Sequence, residues 1–312
     1  FNTMKLHKVN IDKLEQSFVY DEEVIKDITS KENNGIIRIS ENVVLVQSTI
    51  ERNFKFCYKV NLETEEETIT LGYLYWGSNN KWLNCIYFKV FNKRLYDNTN
   101  VKVNEIGDLL GLKIKRSPNI EIAVDFNFNV VDKIYELFKR ENLEVIILNR
   151  LIKKDEYVPE LLNNGKGTLI NPYKFKGFYI RGRDKHRLEL NAYDKTMEIK
   201  ESSHKEYIME AEGFEHIYRL EVRVNGVQLY KTLKALGISR VEFISRIYEP
   251  EVQFKVWENI FDRLLRFRTS GKRECERILD LLMADDVMVK REPANGAKHP
   301  LKRLIRHIIK SA

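Results

Sequence analysis

In residues 187–195, RLELNAYDK, alternate positions carry Arg187, Glu189, Asn191 and Tyr193, and Lys195 follows two residues after the tyrosine. Alternate side chains of a strand share a face, so these groups would stand together, opposite Leu188, Leu190 and Ala192. A tyrosine hydroxyl titrates at about pH 10 and is a poor nucleophile at neutral pH unless a base, a cation or a metal stabilises its phenolate. Lys195 could supply that cation to Tyr193.

Two further segments repeat the alternation. IEIAVDFNFN groups Glu121, Asp125 and Asn127 opposite Ile120, Ile122, Val124 and Phe126, and YRLEVRVN groups Arg219, Glu221 and Arg223 opposite Leu220, Val222 and Val224. One strand of this kind often alternates only because one of its faces meets water. Together they gather carboxylates, the hard oxygen ligands that Mg²⁺ or Mn²⁺ prefers, and such an ion polarises a phosphate and offsets its developing charge. Asp125 and Glu221 lead the candidate ligands, with Glu189 beside them. Glu189 and Glu121 could instead pair with Arg219 or Arg223. Arg183, Arg187, Arg219 and Arg223 could hold a phosphodiester by charge-assisted hydrogen bonds. His186, the one histidine next to this constellation, reads as a surface residue of a hairpin.

The order of these motifs resembles plasmid rolling-circle replication initiators: an Asp-bearing strand (IAVDFN), a hairpin with Gly and Arg leading to a strand ending Tyr-Asp-Lys, then Arg-Leu-Glu-Val-Arg. It is most similar to initiators of staphylococcal plasmids and to nicking proteins of integrative elements, and filamentous-phage nicking initiators look similar too. The resemblance spans residues 117–235. It implies that Tyr193 attacks one strand at an origin, leaving a 5′-phosphotyrosine link and a 3′-OH primer, and that Asp125 and Glu221 hold the metal. It also implies a single-stranded or cruciform nick site as partner, a helicase, and a homodimer. Two departures stand out: Asn191 occupies a position where the family often has arginine, and the serine after the Gly-containing turn is missing.

The elements that must position these residues read as α+β, a largely antiparallel sheet with helices packed on it and a helical C-terminal region. GIIRIS, NVVLVQS, FKFCYKVNL, TITLGYLYWG and WLNCIYFKVFN predict strands. A short helix over 103–110 leads through a basic Ser117-Pro118 break into the Asp125 strand, and Asn129 can cap the helix that follows. EVIILN predicts a strand, GFYIRG and RLELNAY a hairpin, and helices are expected at 226–236, 239–248, 251–268 and 271–285, with no strand after Glu251. Three regions result: a β-rich 1–116, belonging to the sheet or to a separate recognition unit, a catalytic 117–250, and a basic helical 251–312. In the last of these, Leu301, Leu304, Ile305, Ile308 and Ile309 form one stripe of an amphipathic helix.

Composition agrees with a polyanionic partner without requiring one: 53 Lys and Arg against 46 Asp and Glu give a net charge of +7. Cys57, Cys85 and Cys275 are too far apart for a thiolate metal site. No secretory pattern and no long apolar run is present, so a cytoplasmic protein with no membrane association and no organic cofactor is expected. Tyr73, Tyr75, Trp76 and Trp82 could stack bases or simply pack a hairpin. VFNKRLYDNT (90–99) echoes RLELNAYDKT (187–196), which makes Tyr96 the reserve nucleophile. The competing function is a non-catalytic DNA-binding initiator or regulator, and the blandest is a structural protein of a phage or mobile element.

Overall fold

The computed structural model describes residues 6–49, 53–78, 85–97, 99–152, 170–173, 175–181 and 188–284. In chain order the strands are β1 (His7–Val19), β2 (Glu32–Asn33), β3 (Ile36–Arg38), β4 (Val43–Gln47), β5 (Phe54–Glu63), β6 (Thr68–Ser78), β7 (Cys85–Val90), β8 (Ile114–Phe126), β9 (Leu143–Ile147), β10 (Arg150–Ile152), β11 (Ile170–Tyr173), β12 (Gly177–Arg181), β13 (Leu188–Asp194), β14 (Tyr218–Val224) and β15 (Leu265–Thr269). The helices are α1 (Glu22–Ser30), α2 (Val103–Leu109), α3 (Val130–Lys139), α4 (Lys195–Glu198), α5 (Glu206–Glu212), α6 (Gly226–Leu236), α7 (Arg240–Ser245), α8 (Pro250–Leu264) and α9 (Ile278–Met283). A 12-stranded antiparallel sheet runs β11-β12-β13-β14-β8-β1-β7-β6-β5-β4-β3-β2, and β10-β9-β15 form a second sheet. The fold is α+β, as the alternation and helical spacings require.

One face of the large sheet is apolar. Leu188, Leu190, Ala192, Leu220, Val222, Ile120, Ile122, Val124 and Phe126 are all buried in the main core. That face is covered by helices whose own apolar stripes match it: α8 buries Val252, Val256, Trp257, Ile260, Phe261 and Leu264, a recurrence at helical spacing. The Trp257 indole N–H donates to the Leu220 carbonyl at 3.2 Å, satisfying a buried donor against β14. Asn129 caps α3 by accepting from the Asp132 N–H at 3.1 Å, as its position predicts.

Several expectations need correction. β1 is absent from the sequence reading, yet it lies mid-sheet between β8 and β7. Its alternation is broken by a bulge between Ile11 and Lys13, so Ile11, Leu14 and Phe18 recur at helix-like intervals. β8 runs through Pro118 instead of breaking there. Pairing with β14 begins only at Ile120, and the β1 register shifts near Arg116, so the missing proline N–H costs no ladder bond. Strand structure also persists after Glu251, since β15 pairs with β9. The positions 116/117 and 250/251 fall within β8 and at the first turn of α8, the described residues up to Leu282 belong to one compact unit, and the strands before residue 116 lie in the large sheet, one of the two alternatives expected. The expected final helix, Trp82, Arg183, His186 and Arg187 lie outside the described residues.

Candidate metal and tyrosine site

The face opposite the helix layer carries the polar residues, and the strand register sets them in rows. Glu189, Arg223, Glu121 and Lys13 are consecutive cross-strand neighbours over β13, β14, β8 and β1. Successive contacts of 3.9, 3.6 and 3.6 Å make this row a ladder of alternating charge. The next row is Asn191, Glu221, Ala123 and Asn10, and the one after it is Tyr193, Arg219, Asp125 and Lys8. Ala123, the smallest member, leaves room between Glu221 and β1. The bulge residue Asp12 turns its carboxylate into that room.

Among the described residues, Asp12, Glu121 and Glu221 each place a carboxylate oxygen within 4.8 Å of the other two. Hard oxygen donors at that separation fit a divalent cation of the Mg²⁺ or Mn²⁺ type. Glu121 behaves as a carboxylate crowded by its neighbours. It is pushed up to about 7, first by burial and then by Glu221, against the pull of Arg223 and Lys13. Burial also opposes ionisation of Asp12, but Arg219, Lys195 and Lys205 hold its carboxyl below the usual range.

The Tyr193 hydroxyl donates to Glu221 Oε2 at 3.2 Å, and the Asn191 amide donates to Glu221 Oε1 at 3.2 Å. The Asn191 side-chain oxygen is buried there with no hydrogen-bond partner among the described residues. Tyr193 is only 3% exposed, and burial, reinforced by Glu221, pushes its hydroxyl well above its ordinary range. Lys195 lies 5.9 Å from the Tyr193 ring centroid and donates to Glu198 Oε2 at 2.7 Å. Gly177 makes this packing possible, because a Cβ there would sit 2.0 Å from the Ala192 carbonyl and 2.8 Å from the Tyr193 Cβ. Asp194 then caps α4 by accepting from the Met197 N–H at 2.8 Å, ending the strand just past the tyrosine.

Two of the expected ligands, Asp125 and Glu189, do not belong to the three-carboxylate cluster. Asp125 receives Arg219 Nε at 2.6 Å and Nη2 at 2.7 Å, a bidentate pair with both side chains fully buried. Glu189 receives Arg181 Nε at 2.9 Å and approaches Arg223. The cluster therefore takes Glu221 from the expected set and adds Glu121 and Asp12. Arg219 is likewise no phosphate clamp: it is 0% exposed and donates to Asp12 Oδ1 at 2.7 Å and to the Tyr96 hydroxyl at 3.0 Å as well as to Asp125. Arg223 does reach solvent, its side chain 38% exposed, and donates to Glu221 Oε1 at 2.8 Å.

Tyr96 enters the same network from the opposite side. It follows a 3₁₀ turn after β7, donates to Asp12 Oδ1 at 2.5 Å, and is pushed well above its ordinary range by burial. Trp76 belongs to the main core, stacked on Phe56 and Tyr58, whereas Tyr73 and Tyr75 stand on the polar face. A cavity of about 280 Å³ opens beside the carboxylates, lined by Asp12, Glu121, Lys13, Lys89, Lys205 and Tyr73 among others.

Asp12 is the member of the candidate cluster that sequence reasoning missed. Its one signal is the lapse of alternation in HKVNIDKLEQSFV, which marks a bulge once the segment is known to be a strand. No protein-family model and no curated protein matches the chain. Among the described residues no helix is long and apolar enough to cross a membrane.

Proposed function

We propose that the chain is a metal-dependent DNA nicking and joining enzyme, a replication initiator of the rolling-circle type, with Tyr193 as nucleophile. The observation that carries this reading is the 3.2 Å hydrogen bond from the Tyr193 hydroxyl to Glu221, a carboxylate that also belongs to the metal-sized cluster with Asp12 and Glu121. The motif order around Tyr-Asp-Lys supports it. Asp12, Glu121 and Glu221 would hold Mg²⁺ or Mn²⁺, which when bound would polarise the scissile phosphate and favour the phenolate.

The chain's own residues have distinct parts in the reaction. Glu221 Oε2 stands on the path of the phenolic proton. The phenolic oxygen attacks phosphorus, the P–O3′ bond breaks, and the leaving oxygen takes up a proton to become a 3′-OH. Attack of a 3′-OH on the tyrosyl phosphate reverses the step and rejoins the strand without ATP. Arg219 keeps Asp12 ionised and fixed, and Arg223, at the solvent edge of the cluster, would contact the phosphate. Lys195 lies against the tyrosine ring and tempers the charge around it.

Purified protein incubated with a random-sequence single-stranded DNA library and Mn²⁺ tests this reading. Adducts that survive denaturation and map to the Tyr193 peptide are expected, with none from Tyr193→Phe. Absence of any adduct from the wild-type chain sinks it. The burial of Tyr193 favours a second reading, a non-catalytic DNA-binding initiator or regulator in which the tyrosine is structural. That protein would bind duplex DNA in a salt-sensitive, metal-independent way, and Tyr193→Phe would change nothing.

A further inference from the structure

We infer that the cavity beside the carboxylate cluster is a subsite for one nucleotide of single-stranded DNA, with its base against Tyr73 and Phe91 and its phosphate among Lys13, Lys89 and Lys205. The assignment deepens the nicking reading, and the direction it gives the strand, toward Tyr193, rests on that reading.

The cavity is built on neighbouring strands. Tyr73 on β6 is the cross-strand partner of Lys89 on β7, and β7, β1 and β8 follow in order, carrying Lys89, then Asp12 and Lys13, then Glu121. Lys89 faces Glu15 on β1, and Lys13, two residues along that strand, faces Glu121 on β8, so at about 4.8 Å per strand the four strands span roughly 14 Å. Further along the same face come Glu221 on β14 and Tyr193 on β13. A chain crossing these strands would pass from an aromatic contact, over ammonium groups, to the carboxylates and the nucleophile.

The lining combines what a nucleotide needs. Phe91 and Asn92 close the cavity where β7 ends, and the Phe91 ring meets Tyr73 edge to face at 6.1 Å. Both rings are partly exposed, so a π-face remains for a base. Gly72 fixes Tyr73 against Lys89, because a Cβ there would lie 2.5 Å from the Lys89 carbonyl and 2.7 Å from the Phe88 ring. Asn92 is held by donating to the Asp12 carbonyl at 2.5 Å and accepting from the Tyr207 hydroxyl at 2.5 Å.

Three lysines, Lys13, Lys89 and Lys205, line the cavity against two carboxylates, Asp12 and Glu121, an excess that favours an anion. Lys13 has a 3.6 Å contact with Glu121. Lys205 is half-buried and lines the cavity beside Asp12, whose charge and that of Glu198 favour its ammonium form. Among the described residues no carboxylate lies within ion-pair distance of its ammonium. A cation so placed is stabilised by a phosphate oxygen. The volume, about 280 Å³, suits one nucleotide and excludes a duplex.

Photocrosslinking tests the assignment. The full chain is irradiated with a dT decamer bearing 5-iodouracil, crosslinked peptides are mapped by mass spectrometry, and affinity is followed by fluorescence anisotropy. Crosslinks on Tyr73 or Phe91 are expected. Tyr73→Leu should weaken binding roughly tenfold while Tyr73→Phe, which keeps the ring, stays near wild type. Lys205→Gln should lower the slope of log affinity against log salt by about 0.7. Crosslinks confined to other segments, or an unchanged affinity and salt slope in the folded Lys205→Gln protein, would overturn the subsite. So would competition by free dTMP as strong as by the decamer, since the cavity would then be a mononucleotide site. Crosslinking at Tyr73 by a chain that never forms a covalent adduct sinks the nicking reading and leaves the subsite standing. Adducts at Tyr193 with crosslinks elsewhere do the reverse.

Discussion

The two halves of the polar face of the large sheet obey the same alternation and fill it differently. Over β13, β14, β8 and β1 the positions hold Glu189, Tyr193, Arg219, Glu221, Arg223, Glu121, Asp125 and Asp12, most of them buried. Over β7, β6 and β5 they hold Cys85, Tyr87, Tyr75 and Cys57, a small cluster in which Tyr75 and Tyr87 stack at 5.5 Å, with Lys89, Tyr73 and Lys59 in the next row. The second half shows that this sheet can cover its polar face with aromatic side chains whose hydroxyls find partners. The first half keeps buried ions, which carry a desolvation penalty that well-packed apolar residues avoid. The concentration of such charges around Glu221 and Tyr193 is the physical argument for a candidate site there.

The largest effect should come from removing the cation at the centre of the charged half. Arg219→Leu leaves Asp12 and Asp125 buried without their partner, and a loss of about 3–5 kcal/mol in denaturant unfolding is expected. A loss under about 1 kcal/mol would mean that the network is not the rigid unit described. Glu212 gives a smaller, pH-dependent effect. Asn10 donates to its Oε1 at 2.5 Å, its Oε2 is buried without a hydrogen-bond partner among the described residues, and its carboxyl is pushed up to about 7, first by burial and then by Asp125, against Arg219 and Lys8. A raised carboxyl contributes stability that is complete below its ordinary 4.5 and is lost as the pH rises through about 7. Glu212→Gln should remove that decline, a difference on the order of 2 kcal/mol between pH 5 and pH 8 in the unfolding free energy. Parallel pH profiles for the two proteins would contradict the assignment. The aromatic half should respond least. Tyr75 donates to Glu15, which also accepts from Asn119 at 3.1 Å, so Tyr75→Phe should cost about 1 kcal/mol. A cost above about 3 kcal/mol would erase the contrast between the halves.

Much of this arrangement was legible from the residues. The alternation in β13, β14 and β8 assigned Tyr193, Glu221, Arg219 and Asp125 to one face, and cross-strand pairing of β8, β14 and β13 puts them side by side. Periodicity assigns a face, not a partner. It could not tell that Asp125 lies opposite Arg219 and is consumed by it, while Glu221 lies opposite Ala123 and keeps room beside it. β1 stayed hidden because its bulge imitates helical spacing, and with it went Asp12, the ligand candidate that completes the cluster. β15 was missed for another reason: LRFRT is short, and the helical stretch before it runs on without a turn signal.

The central claim is that Asp12, Glu121 and Glu221, and not Glu189 or Asp125, share one divalent ion beside Tyr193. Electron paramagnetic resonance of Mn²⁺ titrated into the wild-type chain, Asp12→Asn and Glu189→Gln tests it most directly. The account predicts about one bound ion in the wild type, affinity weakened at least roughly tenfold in Asp12→Asn, and near-wild-type affinity in Glu189→Gln. Wild-type affinity in Asp12→Asn, or an equal loss in Glu189→Gln, would contradict it.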